Sequence, residues 1–270
     1  MHTKRRKAIE SMKVQFSQKV SGGRKRLLAP IAERAQEEVR YAGAPTFAYK
    51  AAGWSVDKNN VLISPVFEIN EIDSYACIPE LLRDLETEPE GRLTLMIFPD
   101  QTEEEKAAIM QALLESKETL IRSALGIDQA LTVATTKTGY MLSFFNATLD
   151  RAYITVAAQL SCCIYEQAIR QKRVTAKDKA VENEKYAFRC FLLHIGMIGK
   201  TYSLARKTLL ASLAGNGSFK SGNSKRSDEE AFVSADVALS GAIDNEVSPV
   251  IVQSLTGADT AASAAKEGIA

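Results

Sequence analysis

Gly199, Lys200 and Thr201 are three consecutive residues of the types that end a phosphate-binding loop. In such a loop a first glycine stands five positions before the second. Backbone N–H groups then wrap the phosphates while the lysine reaches the outer ones. Here that first position is His194, and the nearest glycine, Gly196, comes two places late. The loop must also follow a strand. Ala187, Cys190, Phe191, His194, Ile195 and Ile198 instead recur at the spacing of one helix face. The sequence therefore predicts a helix closed by Gly196 and Gly199, then a second helix from Lys200, and not a nucleotide site. His194 is predicted to be a core histidine on that apolar face.

Other reactive types are equally short of partners. The only other histidine is His2, so a histidine-based metal site or a Ser-His-Asp triad would rest on His194 alone. Glu68, Glu71, Asp73 and Glu80 are close in sequence but lack the order of a calcium loop, so they read as a solvated stretch. Cys77, Cys162, Cys163 and Cys190 have neither CxxC nor zinc spacing, and the Cys162–Cys163 pair lies in an apolar run. They read as free thiols, buried at that pair, which implies a reducing, cytoplasmic setting. No GxSxG, HExxH or GxGxxG pattern occurs, and no cofactor or metal is expected.

Charge is the stronger signal. The net charge of +1 conceals segregation: residues 1–26 hold nine Lys or Arg and one acid, and residues 27–184 hold sixteen bases against twenty-four acids. Residues 185–227 hold eight bases and no acid, whereas residues 228–270 hold eight acids and one base. The basic set is Lys185, Arg189, Lys200, Arg206, Lys207, Lys220, Lys225 and Arg226. Lys200 and Lys207, seven apart, share one side of a helix, with Arg206 beside them. Tyr202, Ala205, Leu209 and Leu213 turn away toward a core. Lys185 and Arg189 form an i, i+4 pair one helix earlier. Such a helix pair can neutralise several phosphates of a nucleic acid. The stretches "TKRRK" and "GGRKR" add an N-terminal arm of the same sign.

The elements that must hold these residues follow from pattern. At 270 residues, 46% hydrophobic and 25% charged, the chain has the composition of an ordinary globular protein. It contains no run of eighteen apolar residues, and its start lacks the apolar stretch of a signal peptide, so no membrane association is expected. Residues 3–41 read as helices split by "SGGR" and ended by Gly43 and Pro45. "TFAYKAAGWSVDKNNVLISPVF" alternates as three strands with a turn at "DKNN". A short helix follows at Ile78–Leu85, then the strand "RLTLMIF". A capping box, Thr102 and Glu105, is expected to open one long helix to about Ala124. A weak passage at Leu131–Thr138, the strand "GYMLSFF" and a helix from Leu149 to Gln171 complete the middle. The stretches starting at Leu93 and Met141 each give strand, turn and helix, which suggests an internal duplication. The fold class is therefore α+β: N-terminal helices, a small antiparallel sheet with βα units, a C-terminal helix pair and a disordered tail. The expected divisions are a basic helical arm (1–42), a core with the helix pair (43–217) and an acidic tail (218–270) too poor in apolar residues to fold.

Two blocks resemble a known family. "YAGAPTFAYKAAGWSVDKNNVLISP" (41–65) and "VENEKYAFRCFLLHIGMIGKTYSLARKTLLASLAGNGSFKSG" (181–222) are similar, in order, to the "virulence-related" proteins of prophages and integrative elements in Clostridia-like bacteria. The basic start and acidic tail depart from that family. The resemblance implies a mobile-element setting and carries over no catalytic residue. The function expected is a non-enzymatic accessory protein that binds DNA or RNA. The alternative is an anti-defence protein, similar in role to anti-CRISPR proteins, that inhibits a host nuclease by direct binding.

Overall fold

The computed structural model describes residues 8–177 and 181–217. The alternation Val14, Phe16, Gln18, Val20 builds strand β1 (Lys13–Val20), with these four side chains buried and Lys13 and Lys19 exposed. This corrects the expected N-terminal helix. Helix α1 (Arg24–Ala35) then buries Leu27, Leu28 and Ile31 and ends at Gln36 in a left-handed conformation. It stops well short of Tyr41, because Arg40–Tyr41 forms strand β2. Residues 13–35 are thus not a detached arm. Their apolar side chains belong to the same buried cluster as Leu209 and Leu213.

The three predicted strands are present as β3 (Tyr49–Ala51), β4 (Trp54–Val56) and β5 (Val61–Ile63). Asp57 supplies the turn by accepting from the N–H groups of Asn59 and Val61 at 2.8 and 2.9 Å. After β6 (Phe67–Glu68) and helix α2 (Ile72–Ala76), a 3₁₀ turn covers Pro79–Leu85, where the short helix was expected. Strand β7 (Pro89–Phe98) leads to helix α3 (Glu104–Glu115) and, after a break at Ser116–Lys117, helix α4 (Glu118–Leu125). The long helix expected here is therefore two. Its start carries no side-chain cap. The Tyr140 hydroxyl instead accepts from Glu103 N–H at 2.8 Å and donates to the Glu103 carbonyl at 2.9 Å.

The chain continues through β8 (Val133–Thr135), β9 (Tyr140–Asn146) and helix α5 (Arg151–Arg170). Every pairing is antiparallel, in the order β2-β3-β4-β5-β1-β7-β9-β8, with β6 joining β1 beyond β5. Leu93, Leu95, Ile97, Leu142 and Phe144 point to the side covered by helices. α5 lies centrally there: all residues from Ile154 to Ala168 are buried, including Cys162 and Cys163. Such burial on every side explains its apolar composition, and no helix of the described residues is long and apolar enough to cross a membrane. Last comes the predicted helix pair, α6 (Glu184–His194) and α7 (Ser203–Ala211), joined by a 3₁₀ turn at Lys200–Tyr202. The expected disordered tail, 218–270, lies outside the described residues.

Candidate nucleic-acid interface

The α6–α7 hairpin is positioned by its apolar stripes. Tyr202, Ala205, Leu209 and Leu213 are all buried, as their spacing predicted, and α7 packs on α4, α5 and α6. On α6 the buried stripe is Phe188, Phe191, Leu192 and Ile195. The stripe read from sequence was rotated from this one, so His194 is a surface residue rather than a core histidine. Its Nε2 lies 3.2 Å from Nε2 of Gln167 on α5. Cys190 and Ile198, assigned to the same face, are also exposed. Gly196 and Gly199 do close the turn, with φ of 96° and 91°, a region that glycine enters without strain.

The two helices run antiparallel, as Lys185 N–H donates to Ala214 O at 3.0 Å. Lys185 and Arg189 therefore stand at one end, where Arg189 Nη1 donates to Gly217 O at 2.8 Å. Lys200 is at the other end and Lys207 midway along α7; both are exposed. Arg206 is half-buried, and its Nη1 donates to Met197 O at 2.9 Å and Gly199 O at 3.0 Å. That guanidinium fastens the turn. Lys220, Lys225 and Arg226 lie outside the described residues.

Three further cations join the hairpin that the sequence reading passed over. The connection after α5 runs between α3 and α6 and carries Lys172, Arg173 and Lys177, all exposed. On one side of it is a cleft of about 370 Å³, lined by Lys117, Gln171, Thr175, Cys190 and His194. On the other is a cleft of about 440 Å³, lined by Glu105, Lys172 and Arg173. Only the tertiary fold brings the break at Lys117 and this connection beside α6.

Ion pairs among the described residues include Lys19 with Glu90, Arg83 with Glu80, Arg122 with Glu118, Arg151 with Asp73, and Arg170 with buried Glu166. None takes Lys117, Lys172, Arg173, Lys185, Arg189, Lys200 or Lys207. The acidic stretch is occupied structurally as well: Glu68 and Glu71 form a reciprocal cap, and Asp73 and Glu80 face Arg151 and Arg83. No metal-holding group of three His, Cys, Asp or Glu occurs among the described residues. A hydrogen bond with the Cys190 thiol, one turn along α6, raises the pKa of Tyr186. No protein-family model, curated protein or solved structure matches this chain.

Proposed function

We propose that the chain binds nucleic acid through the α6–α7 hairpin and the basic connection beside it. Lys185, Arg189, Lys200 and Lys207 contact phosphates, Lys172 and Arg173 extend the track, and Arg206 holds the turn that presents Lys200. One observation supports the reading: Lys172, Arg173, Lys185, Arg189, Lys200 and Lys207 are gathered on one helical hairpin and the connection beside it, and among the described residues none of these six is in an ion pair. Solvated ammonium groups brought to a polyanion release its condensed counterions, which is the main source of sequence-independent affinity. The setting, an accessory protein of a phage or mobile element, rests on the resemblance of residues 41–65 and 181–222.

A gel-shift titration with single- and double-stranded DNA and RNA, at low and at physiological salt, tests it. Binding that weakens steeply with salt and is lost in the Lys185→Ala, Lys200→Ala, Lys207→Ala triple variant is the expected result. A flat salt response, or full binding by the triple variant, overturns it.

A further inference from the structure

The sheet edge formed by β2 and β3 carries an open-ended stack. The Arg24 guanidinium carbon lies 5.2 Å from the centre of the Tyr49 ring. Tyr49 in turn lies 5.0 Å from the ring of Tyr41, tilted by 44°. The register Tyr41↔Tyr49 puts both rings on one side of the sheet. β2 is the last strand, so nothing in the sheet continues past Tyr41, which is 54% exposed.

The loop beyond is held to the same group, because Arg24 Nη1 donates to the Phe47 carbonyl at 2.7 Å. Phe47 is 44% exposed and has φ of 52°. A bulky residue avoids that left-handed region, and here the strained backbone displays the ring instead of burying it. Single exposed aromatic residues are common on protein surfaces. An unfinished stack, tied by its own guanidinium to a second exposed ring, is a different arrangement.

The charge around it is mostly positive. Arg24, Lys25 and Arg26 fill the first turn of α1, which holds no acid, although the helix dipole favours acids there. Arg40 and Lys50, also exposed, pair across β2 and β3 on the other side of the sheet. Of the nearby acids, Glu37 accepts from Ala52 N–H at 2.9 Å, and Glu33 and Glu38 are exposed.

We propose that this edge stacks the unpaired bases of a single-stranded nucleic acid. Tyr41 and Phe47 are the platforms, and Arg24, Lys25 and Arg26 neutralise the adjoining phosphates. The proposal deepens the preceding reading and rests on it for the class of ligand. Every base has a π-face, so stacking is tolerant of sequence, whereas a duplex keeps those faces against one another. An acidic protein or an anionic lipid surface would engage the cations and leave the rings unused.

The test uses the full chain and three labelled probes: an oligothymidylate of about twenty residues, a duplex of the same length, and an abasic strand of the same length. Fluorescence anisotropy is expected to show tightest binding to oligothymidylate. Tyr41→Ala with Phe47→Ala should weaken that binding by about tenfold or more, leave abasic binding and the thermal melt unchanged, and be rescued by Tyr41→Trp with Phe47→Trp. Equal affinity for the thymidine and abasic strands, preference for duplex, or indifference to ring removal overturns the stacking site. If abasic binding still depends on Lys185, Lys200 and Lys207, the hairpin reading survives that failure. Thymidine binding that needs the two rings but not those lysines supports the stacking site and removes the hairpin. No binding of any probe overturns both.

Discussion

Gln18 and Thr148 exchange two hydrogen bonds: Gln18 Nε2 donates to Thr148 O at 2.7 Å, and Thr148 N–H donates to Gln18 Oε1 at 2.9 Å. Gln18 occupies an inward position of β1, where an apolar residue would be the rule, and its amide pairs with both backbone groups of Thr148 in the link from β9 to α5. Truncation leaves both without a partner. Gln18→Ala should cost about 1–3 kcal/mol, read as a lower urea midpoint with unchanged slope. A midpoint equal to the parent would mean that water replaces the amide at no cost.

Arg206 and the lysines of the hairpin should separate cleanly. Removing two charge-assisted bonds to Met197 O and Gly199 O, Arg206→Ala should destabilise the protein by about 1–3 kcal/mol. Lys200→Ala and Lys207→Ala, at exposed positions, should change stability by no more than about 0.5 kcal/mol. Paired thermal melts check both.

For nucleic acid, the slope of log affinity against log salt should become shallower by about one for each of Lys185, Lys200 and Lys207 replaced by alanine. Anisotropy titrations at three or more salt concentrations provide the slope. A slope insensitive to all three substitutions would move the contact elsewhere on the surface.

The four thiols should react in order of access. Cys190 is exposed, Cys77 is half-buried with its thiol pKa raised by burial, and Cys162 and Cys163 are enclosed on α5, with burial holding the Cys162 thiol well up. A thiol reagent should find one fast site, abolished by Cys190→Ser, one slow site, and two that react only on unfolding.

Burial, together with Tyr140, Asp100 and Glu103, pushes the Tyr165 phenol up to about 12 from its ordinary 10.0. The folded state therefore favours the neutral form. Below pH 10 the phenol is neutral in both states and its contribution is fully present. Between pH 10 and 12 the unfolded chain ionises first, and stability falls. Burial acts in the same direction on Tyr202. The melting temperature should drop across this window, and Tyr165→Phe, which keeps the ring, should make the drop shallower. An identical alkaline profile in that variant would sink the assignment.

Local patterns carried the central hairpins, the strands β7 and β9, and the helix pair, because each has its own alternation or its own helical stripe. β1 was hidden because Gln18 puts a polar residue among the inward positions Val14, Phe16 and Val20, so the alternation is incomplete without the partner at Thr148. The orientation of α6 was misjudged because Cys190, His194 and Ile198 mimic a stripe adjacent to the true one. The basic residues of the hairpin were legible from composition alone. Lys117, Lys172 and Arg173 were not, since neither the break between α3 and α4 nor the link after α5 has any local reason to meet α6. Tyr41 read as the end of a helix and Phe47 as an alternating strand residue, and nothing local to either places the Arg24 guanidinium over Tyr49 between them.

The middle position of β1 sets an order on synthesis. One of its neighbours, β5, emerges from the ribosome soon afterwards, but the other, β7, is complete only at Phe98. Until then one edge of β1 has no ladder partner and the apolar side chains of β1 lack half their cover. The nascent chain must carry that open edge through nearly eighty further residues of translation, an interval in which an unpaired strand is open to pairing with other growing chains.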